Sequence, residues 1–263
     1  MATLRYQAMK LSSKGATKVE DALAMEHPLS VLINGESFTI TMQSPGHEME
    51  LIRGLLFTEG VIRKRSGALK MELIETSENG FISKVNVLAE ESELDKSLLN
   101  KRNLLSVASC GICGKTELLI PQSDKIASSE ILSALEIQRM FDTMSKAQAS
   151  FQESGGSHAA AAFKKDGTML TVMEDIGRHN AVDKVIGDLL NKSQLKETMC
   201  LLVSGRVSYE IVVKCFSAGI PFLLAVSAPS SLAVDFAKEF GITLLGFCRE
   251  DRATIYSNPQ RLV

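Results

Sequence analysis

The chain has 263 residues, 45% hydrophobic and 23% charged, which is the composition of a folded globular protein able to bury a substantial core. A formal net charge of −2 argues against a general nucleic-acid binder, and 5% aromatics with no tryptophan leaves little for a base-stacking platform. No stretch approaches the ~20 apolar residues of a membrane helix. The first residues lack a secretory apolar run, and five cysteines without framework spacing do not suggest disulfide staples, so the cytoplasm is the expected compartment.

In chain order, residues 1–25 are polar and aperiodic and predict a loose lead-in strand or arm. Pro28 to Ile33 and Ser37 to Met42 read as two strands joined by a tight Asn34-Gly35 turn. His47 to Thr58 carries Met49, Ile52, Leu55 and Leu56 at helical spacing, with Gly60 as its stop. Ala68 to Thr76 and Phe81 to Leu88 form another strand pair around Glu78-Asn79-Gly80, giving a small ββαββ roll. Glu90 to Asn103 is charged and leads into Ser109-Cys110-Gly111-Ile112-Cys113-Gly114, followed by Lys115.

The glycine after each cysteine permits an exposed turn, a setting for sulfur chemistry or metal ligation. Three readings stand for Cys110 and Cys113. A redox dithiol places its first cysteine at a helix N-terminus, whereas both flanks here are strand-like. A zinc site needs two more ligands, and no second Cys-x-x-Cys exists in the chain. A sulfur carrier needs one exposed thiolate, whose pKa Lys115 would lower. Cys200, Cys215 and Cys248 sit in apolar contexts and read as small core residues.

Beyond residue 125 the pattern changes. Ser129 to Phe151 predicts one long amphipathic helix ending near Gly155-Gly156. Strands follow at His158 to Phe163 and Thr168 to Met173, a helix at Asn180 to Leu190, and then Met199 to Val203, Tyr209 to Ser217, Pro221 to Val226, Ser231 to Phe240 and Ile242 to Phe247 alternate strand and helix. Thr254 to Tyr256 makes a last short strand. The alternation predicts an α/β protein, α+β overall: residues 126–263 as a mostly parallel sheet covered by helices, residues 1–125 as a smaller β-rich roll ending in the cysteine loop.

Three strand-to-helix turns share one chemistry: Glu174 to Asn180, Ser204-Gly205-Arg206, and Ala228 to Ser231. Such turns gather at the carboxyl ends of sheet strands, where helix N-termini attract anions. With the forks of Arg178 and Arg206 they predict an anion pocket; the competing reading is helix capping and surface ion pairs. His179 and Asp183 are four apart on one helix, so Asp183 is placed to orient the imidazole, or His179 helps to cap the helix. His158, after Gly155-Gly156-Ser157, faces the same cleft or is structural. His27 and His47 are assigned no role.

Taken together, S-C-G-I-C-G, S-G-G-S-H-A-A-A, E-D-I-G-R-H-N-A-V-D-K, S-G-R-V-S-Y-E and Gly246 to Arg249 resemble the FdhD/NarQ family of formate dehydrogenase accessory sulfurtransferases. The resemblance implies a cytidine-deaminase-like three-layer fold for the larger domain. It implies that sulfur arrives from a cysteine desulfurase as a persulfide on Cys110, assisted by Cys113, and passes to the molybdenum cofactor in its bis(molybdopterin guanine dinucleotide) form, which serves formate dehydrogenase. The family's cofactor segment falls on Phe247, Cys248, Arg249, Glu250, Asp251 and Arg252, joined by His158, Arg178, His179, Ser204, Gly205 and Arg206 from the turns. The cofactor is a bound substrate, and the protein is expected to hold no metal of its own. A homodimer is expected, without a nucleic-acid or membrane partner.

The chain departs from the family at Ser154, where threonine is usual, and at Arg252-Ala253-Thr254 before Ile255-Tyr256, where an aromatic and Asn are usual. Two other functions compete. A deaminase-type zinc hydrolase would need an H-x-E or C-x-E motif upstream of P-C-x-x-C, which this chain does not supply. A non-catalytic cofactor chaperone would use the cysteines only for docking.

Overall fold

The computed structural model describes residues 2–62, 69–95, 124–250 and 252–263. Cys110, Cys113, Lys115, the strand-like flanks of the cysteine turn and Asp251 lie outside the described residues.

Residues 1–25, expected as a loose strand or arm, hold two ten-residue strands, β1 (Thr3–Ser12) and β2 (Gly15–Ala24), paired antiparallel with each other. Their side chains are exposed on both faces for most of the length, so no apolar alternation marked them. Next come β3 (His27–Ile33) and β4 (Glu36–Gln43), α1 (Glu48–Thr58), β5 (Lys70–Thr76) and β6 (Ile82–Leu88). These four strands form one sheet in the order β4-β3-β6-β5, with β3 and β6 parallel. Leu29, Val31, Val85 and Val87 of this sheet pack against Leu51, Ile52 and Leu56 of α1.

The expected long helix over 129–151 is two: α2 (Ala134–Lys146) and α3 (Ala149–Ser154). Ser133 and Glu136 close a reciprocal capping box at the start of α2. The chain breaks at Ala147-Gln148, and the new helix start is satisfied by a distant carboxylate: Glu174 accepts from the amides of Ser150 (2.8 Å) and Phe151 (2.7 Å). Then follow β7 (His158–Phe163), β8 (Met169–Asp175), α4 (Arg178–Asn191), β9 (Cys200–Val203), α5 (Tyr209–Ala218), β10 (Phe222–Ala225), α6 (Ser231–Phe240), β11 (Thr243–Arg249) and β12 (Arg252–Ile255).

These last six strands build one sheet, β12-β11-β10-β9-β7-β8. It is mixed, not mostly parallel: only β9-β10 and β10-β11 pair parallel, while β7 runs against both of its neighbours and β12 against β11. A tight Asp166-Gly167 turn returns β7 directly into β8, and antiparallel pairing needs no crossover helix. Side chains alternate between two cores: Leu201 and Val203 of β9 face α4, α5 and α6, whereas Cys200 and Leu202 face Ile137, Met140 and Met144 of α2. The second half is therefore helix, sheet, helix in three layers.

The two halves interlock through α1 and α4. A methyl group placed on Gly54 would lie 1.9 Å from the Asp183 carbonyl oxygen, and one on Gly187 1.8 Å from that of Glu50. Only glycine at both positions lets the two backbones approach so closely.

Candidate functional site: a cleft at the carboxyl edge of the sheet

β8, β9, β10 and β11 end on the same edge of the large sheet, and β7, running the other way, begins there. Register places His158 opposite Asp175. That edge thus collects His158, Arg178, Ser204 to Arg206 and Phe247 to Glu250 from four separate stretches of chain.

A cavity of ≈ 590 Å³ opens here, and His158, Ser204, Cys248, Arg249 and Glu250 form part of its wall, with Phe141 and Asp142 of α2 opposite. Arg249 Nε donates to the Val226 carbonyl at 3.3 Å. A second cavity of ≈ 550 Å³ shares Phe141, Asp142, Cys248, Arg249 and Glu250 with the first and continues to Arg252 between α2 and the β11-β12 hairpin. The turn dividing them carries backbone strain: Phe247 (φ 55°) and Glu250 (φ 54°) are both left-handed without being glycine. Each costs about 1 kcal/mol, a strain that recurs at ligand-holding segments. Phe247 is 45% exposed.

Arg178, His179 and Arg206 do not line either cavity, but they stand at the same sheet edge, close enough to His158 for their charge to act on it. The Gly205 Cα lies against this group, for a methyl there would fall 3.2 Å from His158 Nδ1 and 3.4 Å from the Arg178 side chain. Burial, together with the positive fields of Arg178, His179 and Arg206, pushes the His158 imidazole below its ordinary value, against the opposing pull of Asp175. Arg178 Nε is buried and has no hydrogen-bond partner among the described residues. Ser204 has structural work: its Oγ accepts from the Ala159 amide (2.9 Å) and holds β7 beside β9.

Capping and pairing account for most of the dense Glu174 to Lys184 block. Besides holding α3, Glu174 accepts from Ser157 Oγ (2.8 Å). Asp175, fully buried, accepts from the amides of Ser44 and Gly177, from Asn180 Nδ2 and from Lys184 Nζ at 2.8 to 3.1 Å. These bonds tie the end of β4 to the start of α4.

The expected relay from Asp183 to His179 does not form. Asp183 takes both its oxygens to Lys214 Nζ (2.8 Å each) and accepts from Thr58 Oγ1 (2.8 Å). Nearly the whole of α4 is buried, so residues four apart meet different neighbours. The carboxylate beside the His179 ring is Glu210, at 3.7 Å from Nε2, with Ser208 Oγ at 3.0 Å. Burial alone would raise the Glu210 carboxyl, but hydrogen bonds with His179 and Ser208 outweigh it and hold it at about 2. Sequence reasoning missed Glu210 and Ser208, though a serine N-cap followed by an acidic first turn of α5 was their signal. It also missed Phe141 and Asp142, which read only as one face of an amphipathic helix.

Cys200, Cys215 and Cys248 are buried, as expected of core residues. Cys248 alone of the three also borders the cavities, and burial pushes its thiol up to about 11, so it stays protonated. Among the described residues no three His, Cys, Asp or Glu side chains converge in a metal-binding group.

The sequence model of the FdhD/NarQ family matches residues 24–263. The chain belongs to the FdhD/NarQ family. It is 40% identical to the sulfur carrier protein FdhD of Nocardia farcinica over 266 aligned positions, covering 99% of this chain and 95% of that one. The FdhD protein of Sulfolobus acidocaldarius is 36% identical over 249 positions, covering 92% of both chains. Among solved structures, a putative formate dehydrogenase accessory protein from Desulfotalea psychrophila superposes with a TM-score of 0.77 over 100% of both chains, at 22% identity. That likeness shows that this FdhD/NarQ chain shares its fold.

One titration follows from the geometry. His158 is neutral near neutral pH, and its positive charge returns as pH falls through its lowered pKa. An anion in the cleft favours the charged form, so binding of inorganic pyrophosphate should tighten as pH falls toward that lowered pKa, by at most about tenfold per unit. Calorimetric titration over that fall in pH should show the slope in the wild type and a flat profile in His158→Asn. For stability the sign is the reverse: the neutral ring's contribution is full above the ordinary histidine range and is lost as pH falls.

Proposed function

We propose that this protein is a sulfur carrier serving a formate dehydrogenase. A cysteine desulfurase persulfide delivers its outer sulfur to the Cys110 thiolate, leaving the desulfurase cysteine as the departing thiolate and Cys110 as a persulfide. Cys113 assists from the same loop, and Lys115 favours the thiolate. The carboxyl-edge cleft receives the molybdenum cofactor in its bis(molybdopterin guanine dinucleotide) form, as substrate.

What carries this reading is the convergence of chain-distant residues on one edge. His158, Ser204, Cys248, Arg249 and Glu250 share a cavity, with Arg178, His179 and Arg206 grouped close to His158. A pyrophosphate-bearing ligand needs such cations, and the unpartnered Arg178 Nε is a donor awaiting an acceptor. The two adjoining cavities give an elongated ligand room on both sides of the strained Phe247 to Glu250 turn. The curated relatives are sulfur carrier proteins, which supports sulfur carriage, and the structural relative is a putative formate dehydrogenase accessory protein, which supports a formate dehydrogenase as the target. We read the three-layer half as cytidine-deaminase-like and the protein as cytoplasmic; among the described residues no helix is long and apolar enough to cross a membrane.

Incubation with a cysteine desulfurase and cysteine, followed by intact mass measurement, tests the first half-reaction. The wild type should gain sulfur that a thiol reductant removes, and Cys110→Ala should gain none. Full loading of Cys110→Ala would refute the assignment.

A further inference from the structure

The β1-β2 ribbon lies almost wholly outside the chemistry described above; the family match begins only at residue 24. Ten residues per strand give a length of about 33 Å. The two strands pair only with each other. Among the described residues the ribbon meets the body near its base, where Thr3 Oγ1 donates to Glu153 at 2.7 Å, Arg5 reaches the same carboxylate at 3.3 Å, and β2 packs on α3 with Ala22 buried. Along the ribbon, Leu4, Tyr6, Met9, Leu11 and Leu23 stand 45% to 82% exposed. A two-stranded ribbon of this kind is marginal in water, and each free edge is a template for another strand.

The charges distinguish the two edges. β1 has no acidic residue, so pairing it with itself leaves Arg5 and Lys10 without an opposite charge. β2 is self-complementary about Val19. Antiparallel pairing centred there sets Lys18 opposite Glu20 of the partner subunit, twice by symmetry. It sets Thr17 opposite Asp21 of the partner subunit, Ala16 opposite Ala22 of the partner subunit, and valine against valine on the axis. Sliding the centre by one residue either way puts Lys18 on Lys18 or Glu20 on Glu20, and like charges directly opposite are unfavourable. Glu20 is free to exchange partners, since its present contact is an exposed one of 3.9 Å to Arg5.

We infer that the outer edge of β2 pairs antiparallel with the same edge of a second copy of this chain, centred on Val19, making a continuous four-stranded sheet across the dimer. The ribbon is then an assembly device, and its exposed apolar side chains flank a symmetric interface. This inference does not depend on the sulfur-carrier reading, because none of its residues belongs to the cleft.

Sedimentation velocity on the full chain tests it with a charge-exchange cycle. The wild type should sediment as a dimer at micromolar concentration. Lys18→Glu alone and Glu20→Lys alone each turn both attractive pairs repulsive and should raise the dissociation constant by roughly tenfold or more. The double variant, K18E with E20K, restores both pairs in reverse and should return to within roughly threefold of the wild type. Circular dichroism should be unchanged throughout. A monomeric wild type, single variants that dimerise normally, or a double variant no better than the singles would each overturn the proposal; the second outcome would place the dimer contact on another face.

Discussion

Replacing Lys214 with methionine is expected to destabilise the fold by about 3 to 5 kcal/mol and to lower the melting temperature by roughly 10 °C or more. Lys214 Nζ sits where α1, α4 and α5 meet, 2.8 Å from both Asp183 oxygens, 2.9 Å from Thr58 Oγ1 and 3.5 Å from Glu59. All of these groups are buried. Methionine keeps the bulk but leaves the Asp183 carboxylate away from water without its cation. That cost exceeds the net worth of the intact network, since removing one partner strands the others. The loss should shrink as pH falls and Asp183, whose carboxyl burial already pushes up, protonates, because a neutral acid needs no counterion. A second substitution, Asp183→Asn, should recover part of it. Thermal melts from pH 8 to pH 5 check both: a deficit independent of pH would mean that packing, not charge, is what Lys214 supplies.

The second large effect is expected on ligand affinity. Removing both Arg178 and Arg206, as alanines, should weaken guanosine diphosphate by about a hundredfold, each lost charge-assisted contact costing about 1.5 kcal/mol. Either single change should cost about tenfold, while the melting temperature stays close to that of the wild type, since neither arginine is fully buried. Increasing salt should narrow the gap between wild type and variant. Arg206→Lys should recover less than full affinity, because an ammonium cannot reproduce the planar fork. Calorimetry that finds equal affinity in the double variant would show that these two cations do not face the ligand.

How much of this could be read from residues alone depends on which force decides each feature. The strands and helices after residue 156 were legible because apolar runs such as Cys200–Val203 and Phe222–Ala225 are buried on both faces and punctuated by turn residues. Strand direction was not: whether β7 lies parallel or antiparallel to β9 is settled by sheet assembly, and no local pattern reports it. Residues 1–25 read only as a loose strand or arm, and their pairing into a ribbon was not legible, because β1 and β2 bury almost nothing and the period-2 signal that marks a strand is absent. The break between α2 and α3 was missed because apolar spacing runs through it to Phe151, while its cause, the Glu174 carboxylate, lies 23 residues on.

The same distinction applies at the site. The three turns were placed at one sheet edge from strand-to-helix order, and the sheet brings them there. The partner of His179 was not, because helical spacing says which residues are neighbours on an isolated helix and nothing about stronger partners on packed neighbours. Lys214 captures Asp183 from α5, and Glu210 from the same helix meets the imidazole. Most of the E-D-I-G-R-H-N-A-V-D-K block proved to be internal wiring that fixes β4, α3 and α4, leaving Arg178 and His179 as its residues beside the cleft histidine.

The most direct test follows a sulfur atom. The protein is loaded by a desulfurase with cysteine carrying a heavy sulfur isotope, freed of excess reagent, and mixed with sulfur-deficient cofactor and formate dehydrogenase. The label should reach the cofactor and activity should rise in step, whereas Cys110→Ala and the Arg178→Ala, Arg206→Ala pair should each hold transfer at background. Label that arrives as fast through Cys110→Ala would contradict sulfur carriage on this thiol, and label that arrives undiminished through the arginine variant would contradict the cleft as the place of delivery.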